Sequence, residues 1–499
     1  MSVSSGSLSI DAQPAPARVE AERASPLPLY VDLDGTLTYT DLLFESVLLL
    51  LKRNPLYLFA LLLWLTRGRA NLKAQVARRV ALDVALLPYN PDMLAYLRQQ
   101  RLNGRRLILA SASDRMLVQR VADHVGLFDA VLGSDGETNL KARNKLHAIE
   151  QDAAEGFAYA GNGLADVPVW TQASEIVVVN ASSAVLRQAQ QLRAPTMVIA
   201  PRPFRFRTVF KALRLHQWAK NALLFVPLLA GHELDPLRWL LTLAAFVAFG
   251  MCASATYIIN DLFDLPSDRA HPRKQHRPFA SAALSIPFGV ALVAILLPVS
   301  LLLAAAIAPV FLGMMLLYIA VTLLYSARLK QIAIVDVLVL ASLYTHRVLA
   351  GGIVSAVMVS NWLLAVSLFI FLSLALVKRC AELEFMSGDG NVALAGRGYR
   401  STDLPYLVSM GMASGFAAVM LLALYVDSQI GNVMYPHVEL LWLTLPVALF
   451  WIMRLWLKTS RMEIHDDPLL FAITDRASWI VALFIAGIAA SAALPWGFA

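Results

Sequence analysis

The chain has almost no cysteine. There are two in 499 residues, Cys252 and Cys380, both set in apolar stretches. That excludes a disulfide framework and a cysteine-rich zinc site. Charge is scarce as well: 15% of residues are Asp, Glu, Lys or Arg, against 58% hydrophobic, and mean hydropathy is +0.60. A soluble enzyme of this length carries more charge and less apolar surface. The formal net charge is +7, yet the bases form no nucleic-acid face. They lie in loops between apolar segments, which is the pattern of a membrane protein. The first 26 residues lack an apolar core. They are rich in Ser, Ala and Pro, with Asp11, Glu20 and Glu22, and read as a disordered tail rather than a signal peptide.

The apolar character is unevenly spread. Residues 1–26 are the tail, 27–200 read as a soluble α/β domain, 201–215 as a basic linker and 216–499 as a membrane domain. In the linker, Arg202, Arg205, Arg207, Lys211 and Arg214 alternate with Phe204, Phe206, Val209, Phe210 and Leu213. That suits a segment lying on anionic headgroups, and equally a solvated linker. Nine apolar segments near membrane-spanning length follow, at 218–231, 237–260, 282–306, 308–327, 334–357, 361–379, 404–426, 438–457 and 478–497. The first is short. The loops at 261–281, 328–333, 380–403 and 458–477 hold nearly all the Lys and Arg, while 231–236 and 427–438 hold none. The positive-inside rule puts the basic loops and the N-terminal domain in the cytoplasm, and the chain in the cytoplasmic membrane.

What charge there is concentrates at Asn260–Pro278, NDLFDLPSDRAHPRKQHRP. Asp261, Asp264 and Asp268 are spaced i, i+3, i+7, which puts three carboxylates on one helix face. Such a cluster repels itself unless a cation sits in it, and hard oxygens beside substrate phosphates describe a magnesium site. Arg269, Arg273, Lys274 and Arg277 follow at once. Carboxylates for metal beside bases for phosphate make a pyrophosphate-binding head; the plainer alternative is a solvated charged loop. A second polar group comprises Tyr325 and Lys330 at one span end, then Asp336, Tyr344 and Arg347 in the next. Arg347 lies deep in an apolar segment and needs an anion, a water-filled cavity or a structural carboxylate partner. Lys378, Arg379, Glu382 and Glu384 mark another exit, and Asp466, Asp467, Asp475 and Arg476 the last charged loop.

These motifs resemble the UbiA superfamily of intramembrane prenyltransferases. The likeness rests on Asn260–Asp268, His271, Lys274, Arg277-Pro278 and Tyr325–Lys330, and covers nearly all of 211–499. Within it the chain looks like the polyprenyl-phosphate phosphoribosyltransferases, through His216–Asn221, Asp336–Ala341, Arg347 with Ala350-Gly351-Gly352, Ser373–Arg379 and Asp466-Asp467-Pro468. Members that act on aromatic substrates usually carry a second Asp-rich motif; here Asp336 is the one acid, with Arg347 in the same segment. The resemblance implies transfer of 5-phosphoribose from phosphoribosyl diphosphate to a polyprenyl phosphate. Magnesium on Asp261, Asp264 and Asp268 would neutralise the leaving pyrophosphate. Lys220, Arg273, Lys274, Arg277, Lys378 and Arg379 would grip phosphates, with Asn260, Tyr325, Lys330, Asp336, Tyr344 and Arg347 as further substrate contacts.

The N-terminal domain carries other chemistry. Leu29–Thr36, LYVDLDGT, is a strand ending in two aspartates that point the same way. It resembles the first motif of the haloacid dehalogenase-like phosphatases, over about 27–185. By that likeness Asp32 is the nucleophile, Asp34 the general acid/base, Ser111 a phosphate ligand and Lys145, or else Lys141, the neutralising cation. A second magnesium ion would be held by Asp32, Asp34, Asn162 and Asp166, on a Rossmann-like core. The family's metal motif usually opens with Asp, so Asn162 brings oxygen without charge, and a domain retained for regulation or structure is the alternative. Ser46–Leu51 and Leu56–Leu65 are apolar but each too short to span. They read as a helical cap over the site, able to dip into a membrane interface.

Together the halves suggest transfer followed by removal of the ribose 5-phosphate, giving a polyprenyl-phosphoryl-ribose suited to arabinofuranose donor synthesis. The partners implied are the two substrates and membrane lipid, with no nucleic acid. Two other readings compete: an aromatic prenyltransferase of quinone or haem type, and a non-enzymatic anchor or lipid transporter.

Overall fold

The computed structural model of the chain describes residues 27–135, 137–153, 155–386, 397–428, 435–464 and 467–494. The expected tail at 1–26 and Asp466 lie outside them. The chain divides into two compact units, Met1–Pro203 and Phe204–Ala499.

The first unit is built on a six-stranded parallel sheet in the order β3-β2-β1-β4-β5-β6. The strands are β1 Leu29–Val31, β2 Leu107–Asp114, β3 Ala130–Ser134, β4 Ala158–Gly161, β5 Glu175–Val179 and β6 Met197–Ile199. Central parallel strands are covered on both faces and so are apolar throughout. Side chains alternate between faces. Leu29, Val31, Leu107, Leu109, Ala158 and Val177 therefore join one core, and Tyr30, Ile108, Ala110, Tyr159 and Ile176 the other. β2 runs beyond Ser111 to Asp114, longer than the sequence suggests.

Three helices form the insertion after β1: α1 Leu42–Arg53, α2 Tyr57–Thr66 and α3 Arg69–Ala77. Asp41 caps α1 by accepting from the Leu43 and Phe44 amides. Pro55 ends the α1 run, and Asn54 turns the chain by accepting from the Leu56 amide. The insertion returns to the sheet through Lys73, whose Nζ donates to the Ala112 carbonyl at 2.6 Å and to Asn139 Oδ1 at 3.0 Å. The remaining helices of this unit are α4 Pro91–Leu102, α5 Arg115–Val125, α6 Arg143–Asp152, α7 Val167–Trp170 and α8 Ser183–Leu192.

The second unit is helical. Among the described residues eight helices are long and apolar enough to cross a membrane: Pro236–Phe263, Ile286–Ile307, Pro309–Ala327, Val335–Ser355, Asn361–Glu384, Ser401–Val426, Val438–Ser460 and Arg476–Ala493. The segment expected at 218–231 differs. It is a 3-10 run, Leu215–Phe225, passing into a five-residue α-helix, α10 (Val226–Ala230). Gln217, Lys220 and Asn221 make it too polar for lipid, and its Lys220, Asn221 and Leu224 are buried against other helices. Before it, α9 (Phe206–Leu213) exposes Phe206 and Phe210 and buries Ala212.

Small residues let these helices approach closely. Gly351, on Val335–Ser355, is the extreme case: a methyl there would sit 2.1 Å from the Leu224 carbonyl oxygen. Backbone cannot yield as a side-chain tip can. Gly351→Ala is expected to cost about 1–3 kcal/mol and to lower the midpoint of thermal unfolding in detergent. A variant that melts with the wild type would show that the 3-10 run moves aside freely.

Candidate active sites

In the first unit the strand order reverses at β1, whose neighbours β2 and β4 lie on opposite sides. A crevice opens beyond the carboxyl ends of parallel strands at such a point. Asp32 follows β1, and its amide donates to the Ala160 carbonyl at 2.9 Å. Lys145, on α6, reaches in buried. Its Nζ lies 2.7 Å from Asp32 Oδ1, 2.8 Å from the Tyr159 hydroxyl and 3.8 Å from Asp166 Oδ1. Tyr159 donates on to Asp166 at 2.7 Å, and the other Asp166 oxygen accepts the Asn162 and Gly163 amides. Asp166 thus holds the loop that carries Asn162. The Asn162 amide lies against Gly35, where a methyl would meet it at 2.0 Å. Gly35 also has φ +80°, so the turn after the paired aspartates favours glycine twice over.

Asp34 has different surroundings. It accepts from Ser113 Oγ at 2.7 Å, from Ser111 Oγ at 3.4 Å and from the Leu42 amide at 2.9 Å. Burial, then Asp41 and Asp32 nearby, push its carboxyl up to about 7. Burial also raises Asp32, against the pull of Lys145. Burial opposes charge on Lys145, but Asp32 and Asp166 outweigh it and hold the ammonium above its ordinary value. One carboxylate is therefore paired with a cation while its neighbour keeps a proton near neutrality. That division suits a nucleophile beside a general acid. Ser113, Tyr159 and Lys73 are the additions to the residues expected from sequence. Ser113 was legible, since it lies two residues from Ser111 on the same strand face.

In the second unit, α11 (Pro236–Phe263) ends one residue before Asp264, and α12 (Leu265–Ala270) follows with Pro266 in its first turn. The amides of Asp264 and Asp268 still donate four residues back, so the helical path nearly continues. Asp261 and Asp268 are buried, and Asp264 is partly open. Arg277 Nη1 stands 3.1 Å from Asp261 Oδ1 and 2.7 Å from Asp268 Oδ2. Arg214 Nη2 reaches the same Asp261 oxygen at 2.5 Å, and Lys330 lies 3.7 Å from Asp264. The sequence puts Arg214 in a linker that lies on lipid headgroups or in solvent. Instead its backbone turns left-handed, φ +51°, and its side chain enters this cluster. Arg273, Lys274 and His271 sit exposed on the following turn.

Two further clusters form nearby. Asp336, fully buried, accepts from Arg379 Nε at 2.5 Å, the Tyr399 hydroxyl at 2.5 Å and Arg397 Nη1 at 3.3 Å. Tyr325 accepts from Arg379 at 3.0 Å, and Glu382 pairs with both guanidiniums. Asp467 pairs with Lys220, with Lys378 at 3.3 Å and with the Tyr344 hydroxyl at 3.5 Å. Arg347 is buried and apart from Asp336. Its Nε donates to Asn221 Oδ1 at 3.0 Å, its Nη1 to the Leu343 carbonyl at 2.6 Å and its Nη2 to Tyr318 at 3.4 Å. Rings of Phe249, Tyr318 and Tyr344 lie 5.0, 5.0 and 5.8 Å from its Cζ. Among the described residues no carboxylate pairs with it. Lys220 also stands 5.6 Å from the Tyr344 ring, so Tyr344 joins the two sets. Beside them runs an apolar groove of about 520 Å³, lined by Ala219, Leu223, Val366, Ile370, Leu422 and Ala472.

Among the described residues no three acidic, His or Cys side chains converge as a ready metal cage. The donor set nonetheless fits a hard cation. Arg277 Nη1 marks a point about 3 Å from one oxygen each of Asp261 and Asp268, and these two oxygens would be the ones open to a magnesium ion if the guanidinium moved aside. In the first unit Asp32 and the Asn162 side chain offer oxygens, whereas both Asp166 oxygens are already engaged.

Residues 222–467 match the model of the UbiA prenyltransferase family, and residues 29–170 that of haloacid dehalogenase-like hydrolases. The chain is 36% identical to "Uncharacterized protein y4nM" of Sinorhizobium fredii over 92% of its own length and 90% of the relative's. It is 36% identical to "Nodulation protein NoeC" of Azorhizobium caulinodans over 56% of this chain and 92% of that one. Against "Decaprenyl-phosphate phosphoribosyltransferase" of Mycobacterium tuberculosis identity is 34%, over 44% of this chain and 73% of the relative.

Asp336 is held by groups of the protein itself, so its loss should act first on stability. Asp336→Ala takes from buried Arg379 one of its two carboxylates and from buried Tyr399 its acceptor, leaving Glu382 alone to answer Arg379 and Arg397, at an expected cost of about 3 kcal/mol. Thermal unfolding in detergent checks this. A variant that melts normally but loses activity would make Asp336 a substrate contact.

Proposed function

The chain belongs to the UbiA prenyltransferase family and carries a haloacid dehalogenase-like domain ahead of its membrane domain, and from that premise we propose that it is a polyprenyl-phosphate phosphoribosyltransferase. The acceptor is a polyprenyl phosphate and the donor is phosphoribosyl diphosphate. One observation carries this reading. Lys220 and Arg347 lie by the Tyr344 ring, Lys378 shares Asp467 with Lys220, and among the described residues Asp467 is the one carboxylate that forms an ion pair with any of the three. A buried site with that excess of positive charge suits an anionic acceptor rather than a neutral aromatic ring. The apolar groove begins beside it, since Ala219 adjoins Lys220 and Leu469 lies two residues past Asp467. An isoprenoid tail in the groove puts its phosphate at Lys220 and Lys378. The mycobacterial relative's name points the same way.

A phosphate oxygen of the lipid attacks C1 of the ribose, the C1–O bond to pyrophosphate breaks, and pyrophosphate departs with the bonding pair. The acceptor is already ionised at neutral pH, so no strong base is needed. Asp261 and Asp268, with Asp264 at the rim, would hold a magnesium ion, which would supply neutralisation of the leaving group. Arg277 and Lys330 then turn from the carboxylates to the diphosphate, with Arg273 and Lys274 beside them. Asp336 locks Arg379 and Tyr325 in place. One acid cluster for metal, with the second region closed by its own arginines, argues against a prenyl diphosphate held by two metal centres.

The N-terminal domain would then dephosphorylate the product. Asp32 attacks phosphorus, the bond to the ribose 5-oxygen breaks, and Asp34 gives that oxygen its proton. Asp34 next takes a proton from the water that releases phosphate from Asp32. Lys145 offsets the charge on the transferred group, Ser111 and Ser113 orient Asp34, and a second magnesium ion would use Asp32 and Asn162. The polyprenyl-phosphoryl-ribose so formed suits arabinofuranose donor synthesis. The distribution of bases supports a cytoplasmic orientation for both sites, and we assign the chain to the cytoplasmic membrane as part of this reading.

Purified protein in detergent with magnesium, labelled phosphoribosyl diphosphate and polyprenyl phosphate should carry label into the lipid phase. Asp261→Asn is expected to lower that rate by about 100-fold or more; consumption of a prenyl diphosphate with an aromatic acceptor instead would move the protein to the quinone-type branch. Asp32→Asn should leave transfer intact and accumulate the ribose-5-phosphate lipid, which phosphate analysis of the product reads. Equal 5-phosphate content from wild type and variant would remove the phosphatase step. Asn162→Asp is expected to lower the magnesium concentration for half-maximal phosphatase activity by about tenfold, since ligand charge sets affinity at such sites.

A further inference from the structure

The insertion over the Asp32 site leaves one helix bare. α2 is ten residues long and buries none of them. Its Tyr57, Leu61 and Trp64 lean on a small core of Leu50 from α1, Val76 from α3 and Val80 just past α3. The opposite side shows Leu58, Phe59, Leu62, Leu63 and Leu65 to solvent, with Phe59 69% and Leu62 58% exposed, and Leu56 extends the patch. A contiguous apolar patch of this kind marks an interaction surface. At about 15 Å the helix is too short to cross a bilayer.

Its surroundings say what covers it. From Ser46 to Leu82 the sequence has no Asp or Glu, but holds Lys52, Arg53, Arg67, Arg69, Lys73, Arg78 and Arg79. Lys52 and Arg53 precede α2, Arg67 and Arg69 follow it, and all four are exposed. An apolar helix between exposed bases is complementary to anionic headgroups over acyl chains. A second copy of the chain is a poor fit, because a twofold contact through this face would set two acid-free basic surfaces against each other. The unit is also covalently joined to a membrane domain, so a bilayer is always near.

We propose that α2 is a monotopic membrane anchor that lies in the headgroup region of an anionic bilayer and holds the mouth of the Asp32 site at the lipid surface. Both ends of the insertion are fixed to that site: the Leu42 amide donates to Asp34, and Lys73 donates to Ala112 between the two serines. Immersion of α2 therefore brings the catalytic aspartates to the depth where the headgroup of a lipid-linked phosphate sits. Immersion needs only the membrane character of the chain. Its use, presenting a lipid-linked sugar phosphate to Asp32, rests on the phosphatase reading above.

The test is a depth measurement on the full chain in nanodiscs containing about 30% phosphatidylglycerol. Nitroxides go on Phe59→Cys, on Leu62→Cys and, as reference, on Leu102→Cys, an 81% exposed leucine outside the insertion. The native Cys252 and Cys380 are buried and do not compete for label. The labels at 59 and 62 should collide with oxygen and be shielded from a water-soluble nickel complex, while the label at 102 stays open to nickel. Replacing Lys52, Arg53, Arg67 and Arg69 by Glu should lower the immersed fraction by at least about tenfold. Nickel access at all three positions overturns the proposal. So does shielding from both reagents at 59 and 62, which would mean a protein contact. Neither result depends on whether Asp32 turns over a lipid, so loss of the anchor and loss of the phosphatase reading are told apart.

Discussion

Charge removed from water must be answered by charge, and the membrane unit is arranged around that demand. At 4 Å an ion pair is worth about 4 kcal/mol in surroundings of intermediate polarity, several times its value in water. A lone buried ion is correspondingly costly. Asp336 meets Arg379 and Arg397, Asp467 meets Lys220 and Lys378, and Asp261 meets Arg214 and Arg277. Each pairing ties residues far apart in sequence. Lys220 and Asp467 lie 247 positions apart, and their contact fixes the 3-10 run against the far end of the chain. The same run could not cross lipid as a ninth span, because its polar residues are needed inside.

Arg347 is the exception that gives this arrangement a direction. Its guanidinium is answered by an amide oxygen, a carbonyl, a hydroxyl and aromatic faces, all neutral. Cation–π contacts and neutral acceptors offset part of the desolvation cost. They leave the positive charge itself in place. Asp467 cannot balance Lys220, Lys378 and Arg347 together. An anionic substrate would complete the neutralisation, so its binding would offset that cost. That is a reason for the acceptor to be a phosphate, independent of any likeness to named relatives.

Much of this was legible in the sequence, and the residues that were not share a cause. The sheet unit announces itself through short apolar strands ended by LYVDLDGT, and the helical unit through its long apolar runs. Asp261, Asp264 and Asp268 could be grouped because their spacing is local. Arg214, Arg397 and Tyr399 act through contacts across tens of residues, which no periodicity encodes. Arg214 even carried a misleading local signal, since its alternation with aromatics suits a headgroup-facing segment. The left-handed turn at that residue sends its side chain elsewhere, and backbone conformation of that kind is not written in composition. Pairing of Arg347 with a carboxylate was open on sequence, and the structure answers it by the neutral polar neighbours that surround the guanidinium.

The proposed sequence of reactions raises a transport problem that the fold addresses without a channel. A lipid carrying a sugar phosphate stays in the bilayer when it leaves the transferase groove, because a long isoprenoid holds it there at about 0.8 kcal/mol per buried methylene. A phosphatase free in solution would meet that lipid only by touching the surface. One covalently tied to the membrane domain samples the same surface continually, at an effective concentration set by its linker rather than by its abundance. Tethering alone leaves orientation unsolved, since most poses would point the crevice beyond β1 away from the lipid. An apolar helix whose flanking helices hold Asp34 through the Leu42 amide and Ala112 through Lys73 would convert proximity into orientation. On the proposed anchoring, the insertion is the part of the first unit that a membrane would explain, while the parallel sheet beneath it could serve a soluble phosphatase equally well.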